Sequence, residues 1–311
     1  MHLGNYFGAI KPLFDMASDE SNDVSVFLPD LHSLTSVHDW DELRRNRDRL
    51  LKEFFALMPE WANITVYEQS KIKHINDITW MLSSVTPYSL MCRAHSFKDA
   101  QNKGTDLNMA TFNYPILMAA DIISYDFDII PVGKDQKQHI EFARDIAGNF
   151  NKIYKTDIFK LPEEKIDENV MTIPGTDWRK MSKSYDNFIG IFDSKKLLKK
   201  KIMSIVTGSE ALEDVKDPES CNVFAIIKLF ATQEKQDEIA AKYRAWNYWY
   251  GHAKLELLDI ILDYFSLARE KYESFEKDMS HIEKSLDEWN SKLNKICDEK
   301  YAKLLRITGL N

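Results

Sequence analysis

The sequence predicts an α/β fold with a parallel sheet, followed by an all-helical C-terminal part. In the first 193 residues, short apolar runs alternate with segments of helical spacing, as in parallel strands joined by helical crossovers. Beyond Asp193 the apolar residues keep a helical spacing, and no convincing strand pattern occurs. We therefore expect an α/β domain at residues 1–193 and a helical domain at residues 194–311.

Three apolar runs in the first domain are predicted strands. They lie at 24–28, 64–67 and 127–132. Between the first two runs, residues 41–58 have the pattern of an amphipathic helix, whose arginines, Arg47 among them, are expected in solvent. Residues 76–112 begin as a helix and continue as a polar connection, which we interpret as an insertion between the two halves of the fold.

The second domain is predicted to consist of helices, at 195–206, 222–232, 236–250 and 253–307. The lysines within 195–201 make this segment a candidate basic face for nucleic acid. Several aromatic residues crowd between Tyr243 and Tyr250. Their helical spacing favours core packing over stacking on RNA bases.

Composition indicates a globular protein of the cytoplasm. Of its 311 residues, 44% are hydrophobic and 29% charged, and no apolar run approaches the roughly 20 residues of a membrane span. The net charge of −8 argues against indiscriminate nucleic-acid binding. Three widely separated cysteines, Cys92, Cys221 and Cys297, predict neither a metal site nor a disulfide framework. We expect no signal peptide and no membrane partner.

A polar loop at 175–187 carries two lysines three residues apart, Lys180 and Lys183. Gly175 upstream and polar residues downstream indicate a loop that runs into a helix start. Two ammonium groups and small hydroxyls at one place suit a polyphosphate, because they neutralise charge on a leaving group. An arbitrary lysine pair at this spacing is more simply a solvated basic turn.

Two histidines stand where a fold of this class binds ligands. His2 opens a predicted helix together with Gly4 and Asn5, and a helix N-terminus can hold phosphate. His32 follows the first predicted strand, at the sheet edge where α/β folds place ligands. Taken alone, these residues are more simply a helix cap and a satisfied loop histidine.

A carboxylate shares a helix face with apolar residues. Met118 and Asp121 are three residues apart, and Tyr114 lies one turn before Met118. A buried carboxylate needs a partner, which is either a ligand N–H or a nearby arginine or backbone N–H. The third strand ends at Val132 and is followed by Gly133, Asp135 and Gln136. A strand, a glycine, an acid and a helix form the pattern by which a Rossmann-like half meets a ribose or an amine.

Together these segments resemble class I aminoacyl-tRNA synthetases, and specifically the bacterial tryptophanyl type. The resemblance covers essentially the whole chain. It rests on the stretch Lys-Met-Ser-Lys-Ser at 180–184 and on three further segments, at 2–10, 114–121 and 131–139. Four matches in chain order leave chance a poor explanation.

The resemblance implies an ATP site of two elements. His2, Gly4 and Asn5 would contact the phosphates, and a mobile loop would grip pyrophosphate with Mg²⁺. The loop residues are Lys180, Met181, Ser182, Lys183 and Ser184. Gly133 and Asp135 would meet the nucleotide or the amino group. The residues expected to act in catalysis are Lys180, Lys183, His2 and Asn5.

The resemblance also implies a tryptophan site. Asp121 would accept the indole N–H, with Met118 and Val132 as walls around the ring. Tyr114 and Gln136 would hold the amine, and His32 would lie near the substrate carboxylate. An indole N–H is donor-only, so a carboxylate complements it. We expect such a pocket to reject phenylalanine strongly, because phenylalanine would leave the carboxylate unpaired.

The implied activity is the ATP-dependent ligation of L-tryptophan to tRNA(Trp) through a tryptophanyl-adenylate. The helical domain would receive the anticodon, and a homodimer without DNA as a partner is expected. Three alternatives stay open: a tyrosyl-tRNA synthetase, an adenylyltransferase that does not use tRNA, and an inactive paralogue that binds tryptophan or RNA.

Members of this family carry a first strand and a Gly-rich turn before the His-x-Gly-Asn element. Here Met1 directly precedes His2. We therefore expect the sheet of the printed chain to lack that strand, unless the natural start lies upstream.

Overall fold

The computed structural model describes residues 1–94, 97–98, 101, 108–133, 137–166 and 172–311. Among these residues, no helix is both long and apolar enough to cross a bilayer. The chain folds into two compact units that interleave along the sequence. Unit 1 comprises Met1–Val24, Leu50–Asn63 and Val170–Met279, and unit 2 comprises Ser25–Arg49, Ile64–Asn169 and Ser280–Asn311. The domain boundary at 193/194 stays a prediction.

Four strands lie in the described residues: β1 Val24–Leu28, β2 Ile64–Glu68, β3 Ile129–Val132 and β4 Glu163–Ile166. Strand β1 pairs with β2, and β3 pairs with β4. The pairing of β3 with β4 is parallel, with Ile129 opposite Glu163 and Val132 opposite Ile166. The three predicted strands are confirmed to within two residues. Strand β4 was not predicted, because its sequence Glu-Glu-Lys-Ile has no apolar alternation.

The described residues contain fourteen bounded helices, and the first seven are α1 Leu3–Asn5, α2 Lys11–Ala17, α3 Asp30–Ser33, α4 Trp40–Leu57, α5 Ile75–Val85, α6 Tyr88–Met91 and α7 Met109–Ile123. The other seven are α8 Lys137–Tyr154, α9 Lys195–Met203, α10 Asn222–Ile227, α11 Gln233–Arg244, α12 Tyr250–Tyr264, α13 Ser266–Lys277 and α14 Ser280–Thr308. A π-helical turn, Tyr6–Ile10, joins α1 to α2. Within the part of the chain that the structure describes, 3₁₀ turns lie at Gln69–Lys71 and Lys183–Tyr185.

The stretch 253–307 is helical as predicted, but it is divided among three helices, α12, α13 and α14. The break between α12 and α13 falls at Phe265, which is only 2% exposed. Its ring packs edge-on against Tyr6, with the ring centroids 5.1 Å apart, and against Phe230 at 6.0 Å. Tertiary packing therefore bends the chain at a point where the apolar spacing continues unbroken.

The core of unit 2 forms where α7 packs between α5 and α8. Small residues allow this close approach, because Ala119 and Ala120 on α7 and Ala143 and Ala147 on α8 are all fully buried. Leu293 and Leu304 of α14 join the same apolar cluster. This packing fixes α7, which carries Tyr114, Met118 and Asp121.

The expectation that Arg47 is solvated is wrong. Its side chain is 23% exposed, and its Nε donates to Glu68 at 2.6 Å. Its Nη1 donates to Glu283 on α14 at 2.9 Å. Helical periodicity places Arg47 on the polar side of α4. It contains no information that carboxylates distant in the sequence cover this side.

Candidate active site

The loop at 175–187 in unit 1 is closed at its base by backbone pairing. Pro174 and Lys180 form an isolated antiparallel bridge. Met181 N–H donates to the carbonyl of Ile173 at 2.9 Å, and Gly175 N–H donates to that of Arg179 at 2.7 Å. The two lysines therefore stand on a loop whose ends are fixed.

One buried side chain, Asn187, holds the inside of this loop and is only 2% exposed. Its Oδ1 accepts from Ser182 N–H at 2.8 Å, and its Nδ2 donates to Asp177 Oδ1 at 2.6 Å and to the Lys180 carbonyl at 3.1 Å. Gly175 is required beside it, because a Cβ there would lie 2.3 Å from Asn187 Nδ2. The Asn187 side chain thus pairs with backbone groups inside the loop that have no backbone partner there.

Both lysine side chains of the loop are exposed, and neither ammonium group is paired with any described residue. The nearby Arg179 contrasts with them, since its Nε donates to Asp177 at 2.7 Å. Ser182 caps the 3₁₀ turn that follows, accepting from Ser184 N–H at 3.2 Å. The loop therefore presents two cations, unpaired among the described residues, beside the hydroxyls of Ser182 and Ser184.

His2 and Asn5, also in unit 1, form a reciprocal capping box at the start of α1. Asn5 N–H donates to His2 Nδ1 at 3.3 Å, and His2 N–H donates to Asn5 Oδ1 at 3.2 Å. The cap interpretation is therefore confirmed for this pair. It does not compete with phosphate binding, because it leaves the second ring nitrogen of His2 available.

The pKa of His2 is lowered to about 4. Burial is the main cause, and the positive charges of the chain's amino group, Lys183 and Lys201 add to it. The ring is therefore neutral at pH 7. Since Nδ1 accepts a hydrogen bond, the ring proton resides on Nε2. His2 is thus a neutral N–H donor in a cationic environment.

Gly4 lies directly against the lysine loop. Its N–H points to Met181 Sδ at 3.3 Å. A Cβ at Gly4 would lie 3.0 Å from the His2 ring and 3.2 Å from Met181 Cβ, so the contact has no room for a side chain. This approach packs the His-x-Gly-Asn element and the lysine loop together within unit 1.

Unit 2 contains a pocket of about 340 Å³, within the roughly 300–1,000 Å³ range of small-molecule sites. It is lined by Phe27, His32, Thr35, Tyr114, Met118 and His139. The lining is mostly apolar, with aromatic rings on four elements, β1, α3, α7 and α8. Tyr114 lies between the two imidazoles, with centroids 5.9 Å from His32 and 6.1 Å from His139.

Asp121 is bonded to the pocket residue His32 and is only 3% exposed. His32 Nε2 lies 3.1 Å from Asp121 Oδ2, and Gln69 Nε2 donates to the same oxygen at 2.7 Å. Oδ1 has no hydrogen-bond partner among the described residues. Burial raises the pKa of Asp121, while the hydrogen bonds from His32 and Gln69 lower it. The carboxylate is therefore held at one oxygen and open at the other.

The structure brings together some of the predicted tryptophan residues. His32, Tyr114 and Met118 line one pocket, and Asp121 is bonded to its wall. Val132 ends β3 and is not among the lining residues, and Gly133 follows it in a half-buried position. Asp135 and Gln136 lie outside the described residues.

Sequence reasoning missed five residues that complete these sites. In unit 2 they are Gln69, Phe27, Thr35 and His139, and in unit 1 it is Asn187. Gln69 follows β2 directly, so its place after a strand end was a usable signal. His139 and Asn187 lie at the ends of the segments 131–139 and 175–187 that the sequence singled out, whereas Phe27 and Thr35 carry no local mark of their role.

A family model described as tRNA synthetases class I (W and Y) matches residues 1–266. The chain belongs to this family. Tryptophan–tRNA ligase of Fusobacterium nucleatum is 45% identical over 310 residues, covering 100% of this chain and 94% of that protein. The Campylobacter jejuni enzyme of the same name is 44% identical, at 100% and 96% coverage.

The solved structures agree with this family assignment. The crystal structure of tryptophanyl-tRNA synthetase from Campylobacter jejuni, complexed with ADP and tryptophan, superposes with a TM-score of 0.94 at 43% identity. The superposition covers 99% of this chain and 96% of the Campylobacter jejuni chain. The predicted α/β class with a helical part is therefore confirmed, and the chain is a class I aminoacyl-tRNA synthetase.

Proposed function

We propose that this protein ligates L-tryptophan to tRNA(Trp) in two steps. The tryptophan carboxylate attacks the α-phosphate of ATP, giving tryptophanyl-adenylate and pyrophosphate. A ribose hydroxyl at the 3′ end of the tRNA then takes the aminoacyl group and releases AMP. The observation that carries the choice of amino acid is Asp121, a buried carboxylate beside an aromatic pocket, with one oxygen bonded and the other unpaired among the described residues.

Indole recognition follows from this carboxylate. Gln69 and His32 occupy Oδ2, so an arriving donor finds Oδ1. The indole N–H is a single donor without acceptor capacity, and it would satisfy the carboxylate oxygen that no described residue pairs. Tyrosine offers a hydroxyl and phenylalanine no polar group at all. A pocket built to hydrogen-bond one N–H therefore discriminates most strongly against phenylalanine.

Activation needs no protein nucleophile, only positioning and charge. Lys180 and Lys183 are exposed and unpaired with described residues, so they are available to neutralise the pyrophosphate as it leaves. The neutral His2 ring donates from Nε2 to a phosphate oxygen, and Asn5 keeps that ring in its tautomer through the cap. Ser182 and Ser184 add hydroxyl donors, while Gly133 and Asp135 stay predicted contacts of the nucleotide.

Mg²⁺ belongs to this proposal as the companion of ATP. Among the described residues, no group of three carboxylate, imidazole or thiolate side chains could hold a metal ion. Its ligands would therefore be the phosphates and water, as is usual for nucleotide-bound magnesium. Mg²⁺ would offset negative charge on the phosphates while the two lysines orient them.

The remaining expectations complete the proposal. The helical part beyond residue 193 would receive the anticodon, and the enzyme would work as a homodimer in the cytoplasm, where tRNA is charged for protein biosynthesis. Tyr114 and Gln136 would hold the substrate amine, and Val132 would lie against the indole. The family membership supports each of these assignments.

Tryptophan-dependent exchange of pyrophosphate into ATP tests the proposal, with tyrosine and phenylalanine as controls. We expect exchange with tryptophan alone, and loss of about 100-fold or more in kcat/KM for tryptophan in Asp121→Ala. Exchange driven by tyrosine would favour the tyrosyl alternative. Tryptophan binding without exchange would favour an inactive paralogue.

A further inference from the structure

The turn after β2 carries Gln69, whose fully buried side chain links two residues of the proposed indole site. Gln69 Nε2 donates to Asp121 Oδ2 at 2.7 Å, and Gln69 Oε1 accepts from the backbone N–H of His32 at 3.4 Å. The side chain reaches both partners only if the backbone of the β2 turn (residues 68–73) keeps its place. The contacts that fix this turn therefore also fix the acceptor proposed for the indole.

Two asparagines of α14, four residues apart, bind backbone groups at both ends of the β2 turn. Asn290 is buried, and its Oδ1 accepts from Glu68 N–H at 3.0 Å. Asn294 Oδ1 accepts from Lys73 N–H at 2.9 Å, and its Nδ2 donates to the Lys71 carbonyl at 2.9 Å. A spacing of four residues places both amides on one face of the helix. The turn is therefore held against α14 by three hydrogen bonds.

An ion-pair network joins the same turn to the start of α14. Arg47 Nε donates to Glu68 Oε1 at 2.6 Å, and its Nη1 and Nη2 donate to the two carboxylate oxygens of Glu283 at 2.9 and 3.1 Å. Glu68 is buried, so its charge depends on this partner. A guanidinium that binds one carboxylate through two parallel hydrogen bonds also fixes its geometry. The residue directly before Gln69 is thus held through both its backbone and its side chain.

Asn290 interrupts an otherwise mostly apolar stripe of α14, in which Ile282, Leu286, Leu293 and Leu304 are buried. An amide in such a stripe loses its water and must be hydrogen-bonded, so a further apolar residue would cover the core at less cost. A polar residue at such a position specifies register, because its hydrogen bond forms in only one alignment of the packed elements. Asn290 therefore sets the alignment of α14 with the β2 turn.

We propose that Asn290 and Asn294 are positioning residues for tryptophan, because they hold the β2 turn in the one alignment in which Gln69 aims the Asp121 carboxylate at the indole. This inference rests on the proposed function, since it takes the pocket beside Asp121 as the amino-acid site. Neither asparagine is among the described residues that line this pocket. Their effect on the substrate therefore passes through Gln69.

Tryptophan-dependent pyrophosphate exchange tests the proposal with the variants Asn290→Ala and Asn294→Ala. We expect the KM for tryptophan to rise about 5-fold in each and about 10-fold when both are combined, as for the loss of one or two hydrogen bonds that position the acceptor. Both kcat and the KM for ATP should stay within about 2-fold of wild type, because the ATP elements are untouched. Asn294 is half-buried, so its variant decides the question if Asn290→Ala does not fold.

Leu304→Ala is the matched control, since it removes a fully buried side chain of the same helix beyond the β2 turn. It should lower the urea midpoint of unfolding at least as far as Asn290→Ala does, because it leaves a cavity in the core. The KM for tryptophan should nevertheless remain within about 2-fold of wild type. An equal rise of this KM in Leu304→Ala would show that α14 acts through stability alone and would overturn the proposal.

A double-mutant cycle with Gln69→Leu tests whether the asparagines act through this glutamine. In the Gln69→Leu background, Asn290→Ala should raise the KM for tryptophan no further, because the side chain that it positions is already absent. A full additional 5-fold rise, or an unchanged KM in both single asparagine variants, would overturn the positioning role. Absence of tryptophan-dependent exchange in the wild-type enzyme would instead overturn the proposed function, so the two failures are distinguishable.

Discussion

The lysine loop of unit 1 and the Asp121 centre of unit 2 differ in whether their charged groups are exposed or buried. In the loop, the charged groups of Lys180 and Lys183 are exposed and unpaired with described residues, and a buried neutral amide, Asn187, holds the backbone. At Asp121 the charged group itself is buried, and His32 and Gln69 are already bonded to one of its oxygens.

Under the proposed function, the contrast corresponds to two tasks, binding a polyphosphate and binding an indole. A polyphosphate brings its own high charge, so exposed cations suffice, and the protein needs only to fix the loop that carries them. An indole brings a single weak donor, and discrimination requires an acceptor that water cannot satisfy in its place. The lysine loop therefore depends on a fixed backbone, whereas the Asp121 centre depends on buried polar side chains.

The largest effect is expected at Lys183, whose replacement tests the role of the exposed cations of the loop. In Lys183→Ala we expect kcat for pyrophosphate exchange to fall about 100- to 1,000-fold, because the role proposed for this cation, neutralising the leaving pyrophosphate, is exerted mainly in the transition state. The KM for tryptophan should stay within about 3-fold. Steady-state exchange at saturating ATP measures both quantities.

Lys277→Ala serves as the control, since it removes an exposed lysine of the same unit outside the loop. Exchange should remain within about 2-fold of wild type in this variant. An equal loss in both variants would mean that overall charge, not the loop, governs activation.

Asn187→Ala breaks the support of the loop without touching its cations. Several buried hydrogen bonds are lost, so we expect the free energy of unfolding to drop by about 1–3 kcal/mol. We also expect kcat/KM for ATP to fall about 10- to 30-fold, because the lysines lose their fixed positions. Urea unfolding and exchange at varied ATP concentration measure the two effects.

The exposed Arg179 of the same loop provides the comparison for Asn187. Its pairing with Asp177 is a surface contact, so Arg179→Ala should cost less than about 1 kcal/mol. If this variant harmed ATP use as much as Asn187→Ala, the special role of the buried amide would be refuted.

At the proposed indole site, Gln69→Leu removes one of the two groups that hold Asp121. We expect kcat/KM for tryptophan to fall about 10-fold, because the carboxylate loses a buried hydrogen bond that aims its free oxygen. The KM for ATP should not change. Tryptophan titrations of the exchange rate provide the measurement.

Ser70→Ala is the neighbouring control for Gln69, as Ser70 lies in the same turn and bonds Asp30 instead of Asp121. Full tryptophan affinity in Gln69→Leu would show that His32 alone is enough to orient the carboxylate.

The smallest expected effect is the pH dependence at His2. Its pKa falls from 6.5 in the unfolded chain to about 4 in the folded protein, so the unfolded state binds more protons between these values. Stability contributed by His2 is therefore complete above pH 6.5 and is lost as the pH falls toward 4. Urea unfolding at pH 4.5, 5.5 and 7 measures this slope.

His2→Asn should reduce that slope while keeping an N-cap acceptor. The exposed His281 gives a control, because its replacement by Asn should leave the slope unchanged. Identical slopes for wild type and His2→Asn would contradict the burial of a neutral imidazole at this position.

Much of the fold was predictable because its signals are local. The run Val24–Leu28 gave the bounds of β1 without error, and the lysine loop and the capped His2 helix were recognisable from a few residues each. Strand β4 and the breaks around α13 were not predictable. The sequence of β4, Glu-Glu-Lys-Ile, has no apolar alternation, and the buried Phe265 does not interrupt the helical spacing around it.

The sequence by itself determined the fold class and the segments that carry the chemistry. Only the tertiary structure decided which partners those segments have. Gln69 reaches Asp121 across 52 positions of the chain, and Asn222 donates to the Gly175 carbonyl across 47. Hydrogen bonds between residues so far apart depend on packing of the whole unit, and no spacing rule for one helix or strand contains them.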